Sequence, residues 1–270
     1  MKHELPVNDR VQATVADSGI AHVRLVRADK MNALDDAMFD SIIAAGQALF
    51  DLPGLRCVVL SGEGRAFCAG IDLSMLQTLA GGTDQPITDR SHGNANKWQQ
   101  AAMVWRKLPV PVIAAVHGVC FGGGLQLASG ADIRIAAPDA RMAVMEMKWG
   151  IIPDMGGYVL WRGLVRDDVL RELTYTAREF SGEEAAALGF ASEVAADPLA
   201  RAMAIAEVIA TRNPAAIRSA KALFNRHHEM ATDDILMEES VAQQRLLGTR
   251  NQIEAVMSQM EKRPPNYSEP

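Results

Sequence analysis

Two short apolar runs, LRCVVLSG (55–62) and VIAAVHG (112–118), each pass directly into a glycine-rich loop and then into the start of a helix. A run of that length fits a strand buried on both faces, which requires layers of structure on either side. Two such strand–loop–helix units direct the chain towards a layered α/β fold. They also gather loop N–H groups at helix N-termini, where the helix dipole favours negative charge. Neither loop continues into Gly-Lys-Ser/Thr, and neither lies in a proper dinucleotide-binding βαβ unit. Taken together, the two loops predict a two-donor hole for one oxyanion.

The rest of the chain reads as further alternation. VQATVAD (11–17) and IAHVRLV (20–26), joined at Ser18-Gly19, predict a hairpin. A polar loop over 27–34 leads to a helix from Asp35 to Asp51, with Met38, Ile42, Ala45 and Leu49 on one face. The loop over 62–74 is followed by a segment to Asn96 containing Gly81-Gly82 and Pro86, which is the stretch expected to be most mobile. Ala95 to Lys107 predicts a helix, and 132–137 and 141–145 predict short strands split by a Pro138-Asp139 turn.

From Gly157 the pattern is almost wholly helical. Ser181 and Glu184 form a capping-box signature that Gly189 terminates, and Pro198 takes the first position of a helix to about residue 212. Asn213-Pro214 opens the next helix, Thr232 opens one that Gly248 ends, and a last one runs from Asn251 to Lys262. The expectation is an α/β core over 1–196 carrying a helical region over 197–270, with no repeat of fixed period.

Composition limits the function classes. Of 270 residues, 49% are hydrophobic and 22% charged, which fits a globular chain and not a disordered one. A net charge of −6 and 5% aromatics argue against a nucleic-acid partner. Cys57, Cys68 and Cys120 have no paired spacing and read as reduced thiols, neither a disulfide set nor a metal site. His117 stands alone and His227-His228 face different ways on a helix, so no metal is expected. With no apolar leader and no run of membrane-spanning length, the expected location is cytoplasmic, away from any membrane.

The chemistry concentrates between His117 and Gly157. Gly122, Gly123 and Gly124 are followed by the amide Gln126, and then by two carboxylates in apolar settings, Glu146 and Asp154. Glycine backbone can hold negative charge while carboxylates move protons. The plainer reading is a glycine-rich turn with two surface acids.

The residues KMNAL (30–34), GRAFCAGIDL (64–73), PVIAAVHGVCFGGGLQLA (111–128), MEMKWGIIPDMGG (145–157) and LTYTAREFSGEEAAALGFASEV (173–194) resemble the crotonase, or enoyl-CoA hydratase/isomerase, superfamily. EKRPPNY (261–267) adds a weaker match. The resemblance covers nearly the whole chain in the family's order. It implies a spiral of ββα units with a C-terminal helical region used for trimerisation, usually as a dimer of trimers. It implies an acyl-CoA thioester as ligand and no separate cofactor, since coenzyme A is part of the substrate.

On the family pattern the thioester oxygen would be held by the N–H groups of Ile71 and Gly123. Coenzyme A would lie along Arg27, Ala28 and Lys30 and along Ala69, Gly70, Asp72 and Leu73. Gly122 and Trp149 would border the substrate. Lys262 would sit near the adenosine phosphates, with a solvated surface lysine as the alternative reading.

Hydratases of this family carry two glutamates twenty residues apart, and the corresponding positions here are Gln126 and Glu146. An amide orients a water but cannot exchange a proton at neutral pH. Asp154, where hydratases usually have glycine, resembles the dienoyl-CoA isomerases. Its alternative role is the N-cap of a helix starting near Met155. The resemblance therefore implies C=C isomerisation with Glu146 as principal base. A 2-enoyl-CoA hydratase and a non-catalytic acyl-CoA-binding member stand as alternatives. A Ser/His/Asp protease is not expected, because Ser129 and His117 lack a nucleophile's context.

Overall fold

The computed structural model describes residues 3–4, 9–79 and 86–269. Gly81-Gly82, the centre of the segment expected to be mobile, lie outside the described residues. In chain order the strands and helices begin with β1 (His3–Glu4), β2 (Val11–Val15), β3 (Ile20–Leu25), α1 (Asp36–Phe50), β4 (Cys57–Gly62), β5 (Ala66–Cys68) and α2 (Leu73–Leu79). They continue with α3 (Lys97–Lys107), β6 (Val112–Val116), β7 (Val119–Phe121), α4 (Gly123–Ser129), β8 (Ile133–Ala136), β9 (Arg141–Ala143), α5 (Gly157–Leu160) and α6 (Asp167–Thr176). The last third holds β10 (Phe180–Ser181), α7 (Gly182–Leu188), β11 (Glu193–Val194), α8 (Pro198–Ala210), α9 (Pro214–Arg226), α10 (Thr232–Leu246) and α11 (Arg250–Met260).

The predicted hairpin is β2 against β3, and the predicted helix is α1, where Asp35 accepts the N–H of Met38 at 2.8 Å. Met38, Ile42, Ala45 and Leu49 are all buried, as their spacing requires. Pro198 and Pro214 both open helices, with Asp197 and Asn213 as N-caps. Five strands were not legible in advance: β1, β10 and β11 are two-residue segments, and β5 and β7 are three-residue segments inside the two glycine loops.

Those hidden strands define the architecture. A seven-stranded sheet has the order β1-β2-β3-β4-β6-β8-β11, and a four-stranded sheet the order β10-β9-β7-β5. Along the chain β4, β6 and β8 enter the large sheet, and each is followed by a short strand, β5, β7 or β9, in the small one. This is the expected spiral of ββα units. The chain crosses to the small sheet at each glycine loop, so loop backbone from two successive turns converges at one place.

The large sheet is buried on both faces. Val58 and Leu60 of β4 face the main core, while Cys57 and Val59 face a second cluster with Ile113, Ala115, Ile135, Ala202 and Ala206. Ala202 and Ala206 belong to α8, so the first helix of the C-terminal region lies directly on the large sheet. Among the described residues no helix is long and apolar enough to cross a membrane.

One buried ion pair ties the C-terminal helices to this core. Lys221 of α9 donates to Asp132 at 2.8 Å and to the carbonyls of Trp105 and Val110 at 3.2 and 2.8 Å. Its side chain is 4% exposed, and burial pushes its pKa down against the pull of Asp132. Asp132→Ala removes the counter-charge and also the acceptor of the Val112 N–H. A loss of about 3 kcal/mol in urea unfolding is expected, with partial recovery when Lys221→Met is added. A single variant as stable as the parent would rule out the pair as a structural tie.

Candidate active site

The site lies where the two glycine loops meet. After β5 the chain passes through Ala69–Asp72, and Leu34 donates to Gly70 O at 2.8 Å and accepts from Asp72 N at 3.0 Å. In this parallel bridge of Leu34 with Ile71, the N–H of Ile71 is turned away from Leu34. After β7, Gly122 takes φ +49° and α4 begins at Gly123, whose N–H belongs to the first helical turn and has no acceptor within the helix. A Cβ placed on Gly70 would come within 3.6 Å of the Gly123 nitrogen, so the two segments are adjacent.

Both loops line a single cleft of about 1280 Å³. Ile71, Gly123, Gln126, Glu146 and Asp154 all border it, as do Lys30, Ala69, Gly70, Asp72, Leu73, Gly122 and Trp149. Much of the remaining wall is apolar, including Phe39, Trp98, Phe121 and Met155. Four-fifths of the residues nominated from sequence thus fall at one place; Arg27, Ala28 and Lys262 stand outside the lining.

Arg27 is the instructive exception among the expected coenzyme A residues. Its guanidinium donates to Asp72 at 2.7 Å and to Ala33 O at 3.0 Å, and lies 3.4 Å from Asp35. With its side chain 14% exposed, it braces the loop that carries Ile71. Lys262 is exposed, in a left-handed conformation at the end of α11.

Glu146 opens a 3-10 turn after β9 and is 6% exposed. Its Oε1 accepts a 2.6 Å hydrogen bond from Gln126 Nε2, while Oε2 is buried without a partner. Gly122 lies directly against this carboxylate; a Cβ there would sit 3.3 Å from Oε1, which only glycine avoids. Burial raises the Glu146 pKa above the ordinary carboxylate range. Hydrogen bonds from its own N–H and from Gln126 oppose the rise, and nearby Asp154 adds to it. Trp149, expected to border the substrate, is 49% exposed at the cleft wall.

Asp154 is half-buried, and burial raises its pKa against a hydrogen bond from its own backbone N–H. It is not a helix cap, which corrects one of its two readings. Helix α5 starts at Gly157 behind Gly156, and no side chain caps it from that position. The N–H groups of Met155 and Gly157 are instead accepted by Gln126 Oε1, at 2.8 and 3.0 Å. Gln126 is therefore no solvated helix-surface residue: it is fully buried, and both ends of its amide are engaged.

Ser129 and His117 are committed elsewhere. Ser129 Oγ donates to Leu125 O and accepts from Trp161 Nε1, and His117 Nε2 meets Gly64 O. Sequence reasoning missed three cations that border the cleft, Arg65, Arg141 and Lys148. Arg65 immediately precedes β5 and Arg141 opens β9, so recognising β5 beside the predicted strand at 141–145 would have placed both at one end of the small sheet. Arg141 forms a bidentate pair with Glu179 at 2.7 and 2.8 Å.

The family model described as Enoyl-CoA hydratase/isomerase matches residues 15–270. A Mus musculus protein named Delta(3,5)-Delta(2,4)-dienoyl-CoA isomerase, mitochondrial, is 32% identical over 265 residues, covering 94% of this chain and 80% of that protein. An Arabidopsis thaliana protein named Delta(3,5)-Delta(2,4)-dienoyl-CoA isomerase, peroxisomal, is 33% identical over 260 residues, covering 93% and 94%. The crystal structure of an enoyl-CoA hydratase from Bacillus anthracis superposes with a TM-score of 0.86 at 28% identity, covering 96% of this chain and 98% of that one. This chain belongs to the enoyl-CoA hydratase/isomerase family, within the crotonase superfamily.

Proposed function

We propose that the protein shifts a C=C double bond of an unsaturated acyl-CoA, with conversion of a 3,5-dienoyl to a 2,4-dienoyl thioester as the best match. One observation carries this reading. Two carboxylates with raised pKa values, Glu146 and Asp154, border the cleft, and the place of the first hydratase acid holds the amide Gln126. The relatives named dienoyl-CoA isomerases support it.

Glu146 takes the proton from C2, and the electron pair delocalises on to the thioester oxygen. The N–H groups of Ile71 and Gly123 receive that charge, each contributing about 3 kcal/mol in a dry site. Asp154 returns a proton at C6, so the double bonds come to rest at C2 and C4. No atom is gained or lost, and coenzyme A enters as part of the substrate with no further cofactor. Its phosphates fit the cations Lys30, Arg65, Arg141 and Lys148 around the cleft. Exposed Phe224, Leu236, Met237, Ile253, Val256 and Met260 on α9, α10 and α11 fit a trimerisation surface.

The test is a side-by-side assay on 3-enoyl-, 3,5-dienoyl- and 2-enoyl-CoA, following double-bond position and water addition separately. Migration without hydration is expected. Hydration of 2-enoyl-CoA as the fastest reaction would overturn the proposal, and thermal stabilisation by acyl-CoA with no turnover would favour a binding protein.

A further inference from the structure

We propose that Gln126 is a positioning residue that makes Glu146 a base acting through one fixed oxygen and couples its orientation to the turn carrying Asp154. This rests on the reading of Glu146 as the base. The two ends of one buried amide reach two separate parts of the site. Nε2 holds Glu146 Oε1 at 2.6 Å, and Oε1 of Gln126 holds the N–H groups of Met155 and Gly157 at 2.8 and 3.0 Å.

Three consequences follow from that geometry. The Glu146 carboxylate cannot rotate without losing its hydrogen bond, so Oε2, buried and without a partner, is the oxygen left to meet a substrate proton. The segment 154–157 is fixed relative to Glu146 by the same side chain, which sets the spacing between the two acids. An amide also suits this place in a way an acid does not. Its N–H₂ donates permanently to the charged form of Glu146 and lowers its pKa, against the rise caused by burial. A carboxylate at 126 would add like charge at hydrogen-bond distance and offer the Met155 and Gly157 donors an oxygen shared with that repulsion.

Gln126→Met keeps the side-chain length and removes both hydrogen-bonding ends; Gln126→Glu keeps the shape and introduces the second acid. Each is compared with the parent for folding by thermal melting, and then by kcat, KM and the pH dependence of kcat/KM on the best unsaturated thioester. For Gln126→Met, kcat is expected to fall by about 10- to 100-fold with KM little changed, since the coenzyme A contacts are untouched. The acidic limb of kcat/KM is expected to move up by about half a pH unit or more, because the group that stabilises the Glu146 anion is gone.

Gln126→Glu is expected to move the limb in the same direction through like-charge repulsion, and it supplies the readout if the methionine variant does not fold. A folded variant with an unmoved acidic limb overturns the inference, as does a rise in KM at unchanged kcat. Glu146→Gln run in parallel separates the two levels. If it retains full turnover, the base assignment fails and this inference fails with it. If it is inactive while the Gln126 variants keep the parental limb, only the positioning role fails.

Discussion

Glu146→Gln is expected to lower kcat on the preferred unsaturated thioester by about 1000-fold while leaving KM within a few-fold. Glutamine has the same shape and accepts the same hydrogen bond from Gln126 Nε2, so the loss isolates proton transfer from packing. The parent's pH profile has a defined sign. Glu146 must be ionised to take a proton, and its pKa is raised by burial, so kcat/KM rises with pH through a value above the ordinary carboxylate range. That limb disappears in the variant. Asp154→Asn is expected to cost less, because its carboxyl is only half-buried and its proposed role is at the distal carbon. Full turnover by Glu146→Gln on 3-enoyl-, 3,5-dienoyl- and 2-enoyl-CoA would sink the assignment.

The parts of this molecule that could be read from sequence were those fixed by neighbours in the chain. Asp35, Asp197 and Asn213 act on N–H groups two or three residues away, so the helices they cap were placed correctly. The strands β5 and β7 were not, because three residues show no periodicity and each owes its existence to pairing across the small sheet. The same distinction runs through the site. Glu146, Asp154, Ile71 and Gly123, which border one cleft, could be nominated because the motifs containing them are contiguous. The alternative reading of Asp154 as a helix cap near Met155 fails, since the acceptor of the Met155 N–H, Gln126, lies 29 residues earlier in the chain. The pairing of Arg27 with Asp72 and Asp35 was not legible, because nothing local to Arg27 announces those partners.

The close meeting of the two loops predicts the second large effect. Gly124 follows Gly123 at the start of α4, and a Cβ there would stand 2.3 Å from Cys68 O and 2.8 Å from Cys68 Cβ. Neither contact is the far end of a flexible side chain, so in Gly124→Ala the helix start and β5 must separate. Cys68 leads through Ala69 and Gly70 into Ile71, and the separation therefore moves the Ile71 N–H relative to the Gly123 N–H. Donors to a developing oxyanion work within a few tenths of an ångström, and loss of one typically costs 100-fold or more. The expectation is a fall in kcat of about 100-fold together with about 1–3 kcal/mol of stability lost to overpacking. Enolate formation can be followed apart from double-bond migration, as exchange of the α-protons of a saturated acyl-CoA with solvent deuterium. That exchange should slow in parallel with kcat, because on the proposed mechanism it needs the oxyanion donors and Glu146 but no proton return at the distal carbon. A folded Gly124→Ala protein that exchanges α-protons at the parental rate would show that these two N–H groups do not carry the charge.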